Sequence, residues 1–269
     1  MQGAPSMPTA LVFDSGVGGL SVYQEIRQLL PDLSIIYAFD SAGFPYGEKS
    51  EQVIAERVVK LVGAICQQHQ IDIIVIACNT ASVVSLPALR DSFDIPVVGV
   101  VPAVKPAASL TRNGIVGLLA TKVTVNRPYT HELIAKFAQD CQIKLMGSSR
   151  LVELAEEKLH GQPVMAEELK QILSPWLNTP QAPDTIVLGC THFPLLKEEL
   201  AAVLPKETLL VDSGAAVARR VATLLGDIDW QKVKKAPNIA YCSRLDAEAE
   251  KLLPILHQFG FESLTEQSI

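Results

Sequence analysis

The segment DIIVIACNTAS (residues 72–82) decides the fold. Its run Ile73, Ile74, Val75, Ile76 has no polar alternation, so it reads as a strand covered on both faces, as in a parallel sheet between two layers of helix. The pattern returns as DTIVLGCTHFP (residues 184–194). In each copy the apolar run meets a cysteine, Cys78 or Cys190, followed by small polar residues and a helix start. Working outward, Val- and Ile-rich runs mark further strands, giving candidates at residues 10–13, 34–39, 72–77, 96–100, 115–119, 143–146, 185–189, 208–211 and 238–241. Amphipathic stretches separate them. One of these, SEQVIAERVVKLVGAICQQH (50–69), sets Ile54, Val58, Leu61 and Ile65 on one helical face. The alternation predicts an α/β fold of doubly wound parallel sheets.

The strand ends repeat: Asp14, Asp40, Cys78 and Pro102 return as Thr121, Ser148, Cys190 and Asp212 roughly 110 residues later. Two similar α/β domains are therefore expected, with the active site in the cleft between them. After Asp212 the chain runs through VDSGAAVARRVATLL into another strand, which would return to complete the first unit. Boundaries near 97 and 207 give a discontinuous first domain, residues 1–97 plus 207–269, and a second at 98–206.

Of the 269 residues 48% are hydrophobic, 19% charged and 6% aromatic, the composition of a globular enzyme. The net charge of −6 comes without a basic tail or stripe, which argues against a nucleic-acid partner. The opening MQGAPSMPTA lacks the basic segment and apolar core of a signal peptide, and no apolar run approaches the ~18 residues of a membrane span. A cytoplasmic location away from the membrane is expected. Five cysteines, an odd count without a CxxC pair, read as free thiols.

In open α/β sheets ligands collect beyond the carboxyl ends of the strands, where a helix N-terminus offers free N–H groups and partial positive charge. A cysteine placed there is expected to ionise below the usual ~8.5. One such cysteine alone would read as a small buried hydrophobe. The repetition sets this pair apart, with Asn79 and Thr80 after Cys78, and Thr191 and His192 after Cys190. Cys66 lies on an amphipathic helix, and Cys141 and Cys242 lack polar followers, so these three read as structural.

Weaker motifs surround the pair. In LVFDSGVGGLSV (11–22), Asp14 and Ser15 with Gly16, Gly18 and Gly19 form either a small-anion site or a tight turn capped by the two polar side chains. It is not the dinucleotide fingerprint. In SAGFPYGEKS (41–50), Tyr46 and Gly47 could supply a hydroxyl and an N–H, or simply a turn. LLATKVTVNR (118–127) offers Thr121 and Thr124, and LVELAEEKL (151–159) offers Glu153, which a solvated helix face explains equally well. Tight zinc spacings are absent and no lysine stands at a strand end for pyridoxal phosphate, so no metal and no cofactor are expected.

The segments DSGVGGLSV, FPYGEKS, ACNTAS, PVVGVVPAVKPA, LLATKVTV, LVELAEEKLHG, GCTHFP and VDSGAA, spread from about residue 11 to residue 218, together resemble bacterial cell-wall glutamate racemases. The paired cysteines alone point only to the wider superfamily of cofactor-free racemases, which includes enzymes acting on aspartate and hydantoins. The resemblance implies that Cys78 and Cys190 are the catalytic acid/base pair, with Asp14 assisting the first and His192 the second. It places Asp14, Ser15, Tyr46, Gly47, Asn79, Thr80, Thr121, Thr191 and His192 around the substrate, with Glu153 in support. It further implies that Cys78 faces the α-hydrogen of D-glutamate and Cys190 that of L-glutamate. Supply of D-glutamate for peptidoglycan, a cell-wall precursor as activator and a homodimer are expectations from the resemblance alone. Three other readings compete: a racemase for aspartate or another amino acid, a cysteine hydrolase or decarboxylase, and a non-catalytic amino-acid-binding module.

Overall fold

The structure is a computed structural model that describes residues 7–46, 49–233 and 236–269. Its contacts divide the chain into two units, Met1–Val100 with Gly214–Ile269, and Val101–Ser213.

In the first unit the apolar runs become β1 (Thr9–Asp14), β2 (Ser34–Phe39), β3 (Ile73–Ile76) and β4 (Val97–Gly99). Four strands of the second unit follow: β5 (Ile115–Ala120), β6 (Gln142–Gly147), β7 (Thr185–Leu188) and β8 (Leu209–Val211). The chain then returns to the first unit with β9 (Asn238–Cys242) and β10 (Phe261–Glu266). The first sheet runs β10-β9-β2-β1-β3-β4, and each of its pairings is parallel. Every residue of β2 and β3 is buried, as the apolar run of β3 and the largely apolar run of β2 require.

Side chains alternate across this sheet. Leu11, Phe13, Ile36, Ala38, Ile74 and Ile76 face the helix Glu51–Gln68, which contributes Ile54, Val58, Leu61, Val62 and Ile65 to one core. The opposite face holds Tyr37, whose ring meets Phe261, and the helix Leu20–Leu29 packs there through Tyr23. Helix Gly214–Leu225 packs against Leu20–Leu29, so the returning segment supplies a helix as well as two strands.

The second unit has the order β6-β5-β7-β8, again wholly parallel. One face carries Leu119, Ile186 and Leu188 under Leu151, Leu154 and Leu200, and the other carries Val116, Leu118 and Val187 against Ala103 and Ala107. This order matches β2-β1-β3-β4 strand for strand, which gives the sequence repeat its structural meaning. In both sheets the order reverses beside the first strand of the unit, between β1 and β3 or between β5 and β7. Such a reversal opens a crevice at the carboxyl end, the place where doubly wound sheets bind ligands.

Two details differ from the sequence reading. The sequence boundary at 207 assigns residues 208–211 to the first domain, whereas β8 pairs with β7 in the second sheet, so the division falls after Ser213. Val97–Gly99 likewise stays with the first sheet through β3. The strand β10 was not among the expected elements. It lies at a sheet edge and only Phe261 of its six residues is buried, so it needs no apolar run.

Candidate active site

At the reversal point of the first sheet, β1 delivers Asp14 and Ser15 while β3 delivers Cys78. Cys78 is the N-cap of helix Asn79–Ser92, and its sulfur accepts from the Ala81 N–H at 3.4 Å. Ser15 Oγ lies 3.7 Å from the same sulfur, joining residues 63 apart in sequence. The thiol is buried. Burial first, and then the negative charge of Asp14, push its pKa from 9.0 up to about 12, against smaller opposing help from the Ala81 N–H and from Ser15. The expected lowering is therefore corrected, because the helix N-terminus is present but desolvation outweighs it.

Asp14 is fully buried, and its carboxylate accepts from the Gly19 N–H at 2.8 Å. It thus caps the turn as well as facing Cys78. Gly19 is required here for close packing: a Cβ would lie 2.8 Å from Asp14 Cβ, 2.9 Å from the Tyr37 hydroxyl and 3.0 Å from Ala77 Cβ. A Cβ at Gly16 would likewise press on the Phe44 ring. Asn79 is buried, and among the described residues its Oδ1 has no hydrogen-bond partner. Thr80 is half-buried beside it. Tyr46 is buried in the same core cluster as Cys78, with its hydroxyl given to Asp40 at 2.7 Å. Gly47 lies outside the described residues.

At the equivalent point of the second sheet, Cys190 follows β7 and is half-buried. Its sulfur is 3.8 Å from Nδ1 of His192, whose Nε2 is 3.0 Å from Glu156 Oε1. In the tautomer that donates Nε2–H to the carboxylate, Nδ1 is an acceptor facing the thiol. His192 and Thr191 are both buried. Thr121, at the end of β5, caps the short helix Lys122–Val125 by accepting the Thr124 N–H at 3.2 Å, and its hydroxyl also meets that of Thr124 at 2.9 Å.

Glu153 does not reach His192: it is exposed and pairs with Arg150 at 2.9 Å. The carboxylate on the imidazole is Glu156, one helical turn further along Arg150–Leu159. The sequence reading missed Glu156, which stands five residues after Leu151 and two after Leu154, spacings that put it on no common face with them. It also missed Asp40, named only as a strand end. Among the described residues no group of His, Cys, Asp and Glu is arranged to hold a metal ion, and no helix is long and apolar enough to cross a membrane.

The sequence matches the Asp/Glu/Hydantoin racemase family over residues 12–221. It is 65% identical over 260 residues to a glutamate racemase of Pectobacterium carotovorum, a match covering 97% of this chain and 91% of that one. The fold superimposes on a crystal structure of Escherichia coli glutamate racemase in complex with L-glutamate and the activator UDP-MurNAc-ala. The TM-score is 0.92 at 62% identity, covering 98% of this chain and 99% of that one. A glutamate racemase isoform of Bacillus anthracis keeps a TM-score of 0.80 at 26% identity, covering 97% of this chain and 98% of that one. The paired strand-end cysteines, the two parallel sheets and these likenesses agree, and the chain belongs to the Asp/Glu/Hydantoin racemase family, among its glutamate racemases.

Proposed function

We propose that racemisation of glutamate runs through Cys78 and Cys190, serving opposite faces of one Cα. The observation that carries this reading is their equivalence: each lies just beyond the strand beside the reversal point, in sheets of the same order. Packing accounts for one such cysteine. It does not account for two, each with its own acidic group or groups and polar neighbours. Inversion needs a proton removed from one face and another returned to the opposite face, which two thiols do without either moving far.

The two settings are unequal, and the inequality assigns starting roles. Buried beside Asp14, Cys78 holds its proton and begins as the acid. Cys190, with the His192–Glu156 pair beside it, begins as the base, its proton passing to Nδ1. After one turnover the roles exchange. For Cys78 to act as base its burial must be offset, and the α-ammonium of glutamate, drawn by Asp14 and by the buried Oδ1 of Asn79, supplies the charge that does so. The Ala81 N–H, donated to the Cys78 sulfur, favours the thiolate when Cys78 acts as base. No metal or cofactor enters this scheme. The setting we infer is cytoplasmic synthesis of D-glutamate for peptidoglycan, with a cell-wall precursor of the kind bound to the Escherichia coli relative as activator.

The test uses heavy water. Starting from one enantiomer, early product should carry deuterium while remaining substrate stays unlabelled, because the returning proton comes from the second, solvent-equilibrated thiol. Product that keeps its original hydrogen would indicate one shared base. Loss of ammonia or carbon dioxide from the substrate would indicate a hydrolase or decarboxylase instead.

A further inference from the structure

Asp40, at the end of β2, is fully buried and collects five donor contacts. Arg57 grips it as a fork, Nε to Oδ2 at 2.6 Å and Nη2 to Oδ1 at 2.7 Å. The Tyr46 hydroxyl donates at 2.7 Å, Ser243 Oγ at 2.6 Å and the Gly43 N–H at 3.0 Å. Burial alone would raise the carboxyl pKa, but the hydrogen bonds from Arg57, Ser243 and Tyr46 outweigh it and leave the group an anion. Any Cβ at Gly43 would overlap Asp40 Oδ2 and Arg57 Nε, so loop 41–46 is shaped to fit this pair. Ser243, 203 residues from Asp40, also accepts the Ala42 N–H at 2.9 Å, while Ser41 Oγ donates to the Arg244 carbonyl at 2.6 Å. The loop after β2 is thereby tied to the segment after β9.

What the network holds is Tyr46. Its ring packs 6.4 Å from Phe13, in the cluster that also contains Cys78. Burial, the Asp40 charge and the bond to Asp40 keep the phenol protonated. A buried anion with a bidentate arginine is a costly way to fill a core. It does, however, fix geometry better than apolar packing, because each bond has a direction.

We propose that Asp40 is a positioning residue for Cys78: gripped by Arg57 and Ser243, it fixes the Tyr46 ring in the core cluster that also holds the thiol, and through that packing sets the angle at which Cys78 meets the substrate Cα. The proposal rests on the two-thiol reading, and its test separates the two. Rates are measured with α-deuterated L- and D-glutamate. In Cys78→Ser, transfer at position 78 becomes limiting, so the isotope effect grows for the enantiomer deprotonated there and shrinks for the other. Cys190→Ser reverses the pattern. Arg57→Lys keeps the charge but loses the fork, at a side chain that is 26% exposed, and its circular dichroism spectrum reports whether the fold is kept.

The expected result for Arg57→Lys is a fall in kcat/KM of roughly 10–100-fold, with isotope effects displaced in the Cys78→Ser direction. Tyr46→Phe should move them the same way, and so should Asp40→Asn. A purely structural role would lower the folded fraction and kcat while leaving both isotope effects as they are in the parent. Unchanged isotope effects in Arg57→Lys and Tyr46→Phe would overturn the positioning role while the serine variants still diverge. If the serine variants do not diverge, it is the two-thiol reading that fails.

Discussion

Cys78 should be a thiol over the whole range in which most cysteines have begun to ionise. Its pKa of about 12 against an ordinary 9.0 is a shift of three units, worth a factor of about 10³ in thiolate fraction and roughly 4 kcal/mol. At pH 8 about one molecule in 10⁴ would carry the Cys78 thiolate, where an unshifted group would give about one in ten. The assay is ultraviolet thiolate absorbance against pH, taken as the difference between a Cys190→Ser variant and the same variant lacking Cys78. Alkylation by iodoacetamide, followed on the peptide that contains residue 78, gives an independent reading. The difference signal should stay flat through pH 9 and rise only above about pH 10, and added glutamate should move it downward. Stability follows the same sign. The native state holds the proton more tightly than the unfolded chain, so the contribution is complete below pH 9 and is lost as pH rises toward 12. Cys78→Ala should therefore lose less stability over that interval than its parent. A Cys78 thiolate forming at or below pH 9 without substrate would refute the argument that desolvation outweighs the helix N-terminus.

Further outcomes follow from named contacts. Glu156→Gln should lower kcat/KM at least tenfold, because it weakens the group that orients His192, whereas Glu153→Gln should leave it within about twofold. Equal effects of the two would remove Glu156 from the relay. Replacing either Cys78 or Cys190 by Ala should cost at least ~10²-fold in racemisation with an unchanged circular dichroism spectrum. Near-normal turnover in either variant would end the two-thiol mechanism. Gly19→Ala should cost about 1–3 kcal/mol in a denaturant melt, since its Cβ would meet three neighbours at 3.0 Å or less. Gly63→Ala, whose Cβ would rest 3.5 Å from Phe93 on a helix, should be neutral or stabilising.

The core strands were legible because a strand buried on both faces keeps an apolar run, unbroken in Ile73–Ile76 and interrupted in Ser34–Phe39 only by Ser34 at its start and the hydroxyl of Tyr37. The repeat was legible because equal strand order forces chemistry-bearing residues to recur at equivalent ends. The edge strand Phe261–Glu266 escaped because an edge asks for little burial. Glu153 and Glu156 sit on one helix at neighbouring positions, and which of them meets residue 192 depends on how that helix rolls against the turn after β7. Asp40 was invisible as a hub because, beyond the nearby Gly43 and Tyr46, the donors that grip it, Arg57 and Ser243, lie 17 and 203 residues away, separations at which no local pattern survives. Its own position at a strand end was plain, but its meaning was not.

The pairing of β2 with β9, Ala38 opposite Tyr241, has a consequence for how the molecule comes into being. During synthesis the second unit is an uninterrupted length of chain that emerges whole, whereas the first must wait for its last two strands. Until they arrive, one edge of SIIYAF, a strand buried along its full length in the finished protein, has no neighbour. A nascent chain in that state offers an apolar template to any other strand it meets. Closure over so long a loop is slow, so the yield of native protein should depend on the pace of translation over residues 214–269 and on the chaperones at hand while that edge is bare.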